Sequence, residues 1–191
     1  MPTASDGHVT TFDASSPDCT VNVTGACQSL DFTGFANVLT MTSAISCTSG
    51  TITFQANQAS RIAGAGLLTL ANTTTIIANG ATWNNALTFS VTSTKTVTGT
   101  LTVTGLFTSG SSTTQTVNGG TLVLNGGMTI NGTTTGTTNV TLAGGTWSGA
   151  SALQNNLTFA GNVTVSGSVA YNTGTITRLS GTITTTGSTL T

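Results

Sequence analysis

The side chains that could do chemistry are few, and they crowd into one end of the chain. All four carboxylates are aspartates, Asp6, Asp13, Asp18 and Asp31, and neither Asp nor Glu occurs after them. The only histidine is His8, and the three cysteines are Cys19, Cys27 and Cys47. Glycoside hydrolysis needs two neighbouring carboxyl groups, one as acid and one as nucleophile or base. Any such pair would have to come from the N-terminal stretch. An eliminative lyase would need a base and metal-binding carboxylates, which the rest of the chain does not supply. A Ser–His–Asp set would depend on His8, and no G-x-S-x-G phrase is present. The D-x-[DN]-x-[DN]-G spacing of a calcium loop is absent. A zinc site would need C-x-x-C or further histidines. The expectation is a chain without catalytic residues, metal or cofactor. The cysteines, odd in number, are read as buried free thiols, with a single disulfide, Cys27–Cys47 or Cys19–Cys27, as the alternative.

The rest of the composition explains what must surround these groups. Of 191 residues only 4% are charged, against about 25% in an ordinary globular protein. Threonine supplies about a quarter of the chain, with Gly, Ser and Asn prominent. The cations Arg61, Lys95 and Arg178 are widely spread and the net charge is −1, too little positive charge for phosphate neutralisation, so a nucleic-acid partner is not expected. The 37% apolar content and mean hydropathy of +0.25 argue against a charge-rich disordered segment. No apolar run approaches the ~18 residues of a membrane span, and the opening MPTASDGHVTTF lacks the basic and apolar regions of a secretory leader. N-x-S/T occurs at Asn22, Asn72, Asn131, Asn139, Asn156 and Asn162. In a chain so rich in Asn and Thr these read as turn and strand residues, not as glycosylation acceptors.

A short unit recurs, apolar–Thr–apolar after a small residue. Examples are GTITF (50–54), GLLTL (66–70), ALTF (86–89), GTLTV (99–103), GTLVL (120–124), NVTL (139–142) and NLTF (156–159). Each reads as a short strand of period 2, built from β-branched residues that favour strand over helix. Gly and Asn supply the turns. One series of apolar positions runs Leu68, Leu87, Leu122, Val140, Leu157, Ile176; a second runs Val97, Val117; a third runs Met128, Trp147, Val163, Ile183. Steps of about 16–21 residues, with the 35 from Leu87 to Leu122 spanning two of them, and several strands per step are the signature of stacked coils. No coil can bury its apolar face alone, but a stack makes one continuous column. The expected fold is all-β, a single-chain parallel β-solenoid (β-helix), right-handed, of about nine or ten coils. Residues 1–26 are expected as an N-terminal cap or extended strand segment and residues 27–191 as the solenoid. The inner ladder is expected to include Leu30, Phe32, Leu39, Met41, Ile52, Phe54, Leu68, Leu70, Leu87, Phe89, Leu101, Val103, Leu122, Leu124, Val140, Leu142, Leu157, Phe159, Val163 and Val165.

Two surface features follow from this reading. Thr92, Thr94, Thr96, Thr98, Thr100 and Thr102, continuing to Thr104, alternate along one run and are expected to place their hydroxyls on one side as a contact row. Trp83 and Trp147 end the related phrases GATW and GGTW and are read as apolar residues at an equivalent corner, with sugar stacking as the alternative.

The N-terminal phrases carry a resemblance. Pro2, Thr3, Asp6, Val9, Phe12, Asp13 and Ala14, followed by Cys27, Leu30, Phe32, Thr33, Gly34, Phe35, Leu39 and Met41, resemble the Thr/Gly-rich β-solenoid repeat proteins of tailed bacteriophages (tail fibre, virion appendage or decoration type) and related environmental surface proteins. The likeness covers about the first 55 residues. It implies a structural or host-contact role in the virion and carries over no catalytic residue.

With chemistry removed, the expected function is a non-catalytic structural or adhesive virion component. The alternatives are a bacterial surface adhesin or fibre module, and an ice-binding protein using Thr-x-Thr rows. Expected partners are further copies of the chain in a homo-oligomer, a trimer by preference, other virion or cell-surface proteins, and a host glycan. The expected location is the virion, or else the extracellular cell surface.

Overall fold

A computed structural model describes residues 9–56, 61–72, 74–90, 93–110, 114–149, 152–167, 169–171 and 174–186. Every strand pairing among them is parallel and joins strands of neighbouring coils. The chain winds into a β-solenoid of parallel stacked coils, with no helix among the described elements. Each turn visits three faces. The first face is a nine-stranded sheet running from Val9–Thr11 to Ala170–Tyr171. The second begins as a three-stranded sheet, Cys19–Val21, Leu39–Met41 and Ile62–Gly64, and continues as a six-stranded sheet from Thr82–Trp83 to Ile176–Arg178. The third is a nine-stranded sheet from Gly25–Cys27 to Ile183–Thr186. At ~4.8 Å per strand spacing, nine stacked strands make a column roughly 40 Å long.

Nine strands on each face agree with the nine or ten coils expected. Residues 9–26, expected as a cap or extended segment, already run as the first coil. Val9–Thr11 pairs with Ser29–Asp31, and Cys19–Val21 with Leu39–Met41. The 26/27 boundary therefore separates no folded units within the described residues.

Every residue of the expected inner ladder, from Leu30 to Val165, is buried. Burial follows from alternation: in Leu39–Met41, Leu68–Leu70 and Leu157–Phe159 the outer two residues point in and the central Thr points out. The ladders themselves differ from the series read along the chain. Leu68 and Leu87 belong to the third face, where Leu87 is followed by Phe107 and then Met128. Leu122, Val140, Leu157 and Ile176 stack on the second face. Val117 pairs with Lys95 rather than Val97, and Trp147 with Val165 rather than Val163. The reason is physical. A slip of two residues leaves every side chain on its own side of the sheet, so period 2 alone does not fix the register.

The two tryptophans are fully buried and lie on different faces, Trp83 on the second and Trp147 on the third. They are not equivalent corners, and neither indole is available to a sugar. Phe12, Phe32 and Phe54 stack along the column, with centroid separations of 5.2 Å and 6.1 Å. Ala78 takes the next place in that column, and Trp83 stands against Phe54 at 5.6 Å. Corners are turned where backbone comes too close for a side chain. Gly149 has φ +123°, and a Cβ there would run into the Ile130 carbonyl one coil below.

Two sets of substitutions test this description. Leu122→Asp, between Leu101 and Val140 in the second-face ladder, should cost about 3–5 kcal/mol, because it buries an unpaired charge. Melting like the parent would contradict the ladder. Gly149→Ala should cost about 2–4 kcal/mol from strain and clash together. Gly80, at φ +71° but with no atom near its Cβ position, should lose only about 1 kcal/mol on change to Ala. Denaturant melts of the pair separate the two terms.

Candidate functional site: hydroxyl columns and a polar interior

The threonine run does not form one row. Thr94, Thr96 and Thr98 are exposed on the first face. The chain then turns at Gly99, φ +82°, and Thr100 and Thr102 lie on the second face. Thr92 lies outside the described residues. Alternation along a strand sets inside from outside, but the glycine corner decides which face a residue reaches.

What the structure builds instead are columns across coils. On the third face, Ser46, Thr69, Thr88, Thr108, Thr129 and Ser148 are successive register partners, all half-buried. The Thr129 and Ser148 hydroxyls bond directly at 3.0 Å. The second face carries two columns. One is Thr82, Thr102, Val123, Thr141, Thr158 and Thr177. The other is Thr100, Thr121 and Asn139, extended by Asn156, whose amide nitrogen donates to the Asn139 side-chain oxygen at 3.2 Å. Asn156 Oδ1 in turn accepts the Thr175 N–H at 3.1 Å. These surfaces present hydroxyls, amides and methyls at the spacing of the backbone ladder, and almost no charge.

The carboxylates are occupied where they stand. Asp13 accepts from the Ser15 N–H at 2.9 Å and hydroxyl at 2.7 Å, and from the Ser16 N–H at 3.0 Å. These bonds hold its carboxyl below the usual range, the Ser15 hydroxyl contributing most. Asp31 accepts from the Thr33 hydroxyl at 2.6 Å, and Asp18 from the Val38 N–H at 2.8 Å. Each serves a turn or a coil-to-coil contact. Among the described residues no group of three or more His, Cys, Asp or Glu side chains converges as a metal site. Asp6 and His8 lie outside those residues.

Cys27 and Cys47 are both buried, register partners on neighbouring coils of the third face, with sulfurs 3.1 Å apart. Cys19 sits on the second face, its thiol donating to the Pro17 carbonyl at 3.1 Å. The spacing of the three cysteines left two pairings open, and the stacking brings together Cys27 and Cys47.

The interior holds a polar seam that the reading of an apolar column missed. Lys95 is fully buried, stacked between Thr74 and Val117. Its ammonium donates to the Asn72 carbonyl and the Ser93 hydroxyl, and lies 5.9 Å from the centroid of the Phe89 ring. Nearby, Gln115 donates to the Phe89 carbonyl at 2.7 Å, and the Ser109 and Thr134 hydroxyls meet at 2.5 Å. The signal was present in Thr94–Thr98, TKTVT, where strict alternation puts Lys95 on the same side as Val97.

Burial lowers the Lys95 pKa to about 8, because the interior disfavours the charged form. An unfolded lysine titrates near 10.4. Between these values the unfolded chain binds more protons, so stability rises with pH. Melting temperature should climb from about pH 8 to 10 and level above it. Lys95→Met should flatten the climb and raise stability at neutral pH, since no buried charge remains. A parent and variant with equal pH slopes would remove Lys95 as the cause.

Comparison with known proteins adds no relative: no family model, no curated protein and no solved structure matches this chain.

Proposed function

We propose that the chain is a non-catalytic structural or adhesive module, a rod-like component of a tailed-bacteriophage virion such as a fibre, appendage or capsid decoration. The observation that supports this most is the continuous buried core shared by the stacked coils, with Asp13, Asp18 and Asp31 spent on turns and coil-to-coil contacts. Such a body is stiff and nearly neutral, and among the described residues no cleft gathers acid, base and nucleophile. Hydroxyl-rich faces suit close association with like surfaces or with a glycan, where hydrogen bonds rather than charges recognise the partner. A homotrimer with one face of each solenoid toward the axis fits closed symmetry. The same physics would serve a bacterial surface adhesin or fibre.

The native mass of the purified chain tests the assembly, by sedimentation or light scattering. A stable trimer is the expected result, and a monomer at all concentrations counts against the fibre reading.

A second reading is favoured by the paired columns of the second face. Two rows of Thr, Asn and Val at coil spacing could order water in a lattice, as an ice-binding surface does. Thermal hysteresis of the purified chain tests it. If hysteresis is present, Thr141→Tyr at the centre of the face should abolish it with little change in melting temperature. No hysteresis and no shaping of ice crystals removes this reading.

A further inference from the structure

The two cysteines that the fold stacks lie at a particular place. Cys27 ends the third-face strand of the first coil, and Cys47 ends that of the second. The same column continues through Leu70 and Phe89, so elsewhere the position is apolar. Above Cys27 the column opens into a cavity of about 130 Å³, lined by Thr10, Phe12, Val21, Leu30, Ile45 and Cys27 itself. Cys47 lies one rung deeper and is completely buried. Cys27 is therefore the sulfur that a small molecule entering the cavity would meet, and Cys47 is the neighbour behind it.

We infer that Cys27 and Cys47 are a redox site, an attacking and a resolving thiol that close into an inter-coil disulfide with a low-molecular-weight disulfide as oxidant. Parallel neighbours stand ~4.8 Å apart, inside the 4.4–6.8 Å window of Cα separations that disulfides span. Their sulfurs, at 3.1 Å, need approach by only about 1 Å to reach bonding distance. The two sulfurs share a hydrogen bond that either can donate, and the Cys27 thiol also reaches the Ser46 carbonyl at 3.8 Å. Hydrogen bonding with Cys47 and Thr10 pushes the Cys27 thiol down, while the same contact together with burial pushes Cys47 up.

The chemistry balances. The Cys27 thiolate attacks one sulfur of R–S–S–R, forming Cys27–S–S–R and releasing RS⁻, which takes up a proton. Cys47 gives up its proton and attacks the Cys27 sulfur, releasing the second RS⁻, which is protonated in turn. Two protein thiols lose two electrons, and the oxidant leaves as two RSH. The bond ties the coil that carries Gly25–Cys27 to the coil that carries Ile45–Cys47.

The full chain, treated with hydroxyethyl disulfide and then alkylated under denaturing conditions, should show one free cysteine, Cys19, where the reduced chain shows three. Cleavage before Asp18 and Asp31 leaves Cys19 and Cys27 on one fragment and Cys47 on the next. Those fragments should stay joined until reduced. Cys19→Ser should keep the link and Cys47→Ala should lose it. The oxidised chain should melt roughly 5–10 °C higher than the reduced one. Three alkylated cysteines after oxidation, a mixed disulfide left on Cys27, a link through Cys19, or an unchanged melting temperature would each overturn the inference. None of these readouts depends on the oligomeric state.

Discussion

Everything in this molecule depends on one repeat distance, the spacing of parallel strands in register. Each coil satisfies its backbone groups by bonding to the coils on either side. Side chains at equivalent positions are then forced to within about 5 Å of one another, rung after rung. A charge placed on such a column would meet its own kind above and below. Threonine meets no such penalty: it is β-branched, tolerates burial of its methyl, and bonds through its hydroxyl to a neighbour. The low charge and the abundance of Thr are consequences of stacking, not independent traits. The aspartates fit the same logic, because Asp13, Asp18 and Asp31 each satisfy local N–H or hydroxyl donors.

The inside of the stack obeys the same spacing with a different chemistry. Apolar side chains can be repeated at every rung because like packs well against like, and Phe12, Phe32 and Phe54 do so directly. The column also tolerates departures when they satisfy each other. Ala78 leaves room that Trp83 fills. Lys95 enters at a rung where a carbonyl, a hydroxyl and an aromatic face meet its ammonium. Its burial without a carboxylate partner is costly, and the seam around it, Gln115, Ser109 and Thr134, shows that the cost is spread over several rungs. A polar seam in a repetitive stack has one further effect. It makes that rung unlike every other, which opposes slippage of the register.

The sequence made much of this legible, and the boundary of legibility is physical. Strand identity and inward or outward direction could be read because alternation is local: Leu39, Leu70, Phe89 and Phe159 are all inside as expected. Face identity could not, because the apolar–Thr–apolar phrase is the same on the second and third faces. Leu87 and Leu122 therefore appeared to be one series when they lie on different sheets. Register shifts of two residues, as at Val117 and Trp147, conserve every inward position and leave no trace in hydropathy. The threonine run around Gly99 misled for a related reason: a glycine at positive φ turns a straight row into a corner. Lys95, by contrast, is legible in TKTVT, where alternation puts it inside with Val97 despite its charge.

These distinctions bear on where recognition can reside. A row along one strand is at most a few residues long and is ended by a corner. A column across coils grows with every repeat and keeps the backbone spacing, whatever the exact turn lengths between faces. The hydroxyl column from Ser46 to Ser148 and the paired columns of the second face are therefore the extended features of this surface, and none is visible as a sequence motif. Their members are separated by whole coils of irregular length, so no fixed spacing marks them. A ligand recognised here would read periodicity rather than a constellation of unusual side chains. That favours partners that are themselves periodic: another copy of the solenoid, a polysaccharide chain, or ordered water.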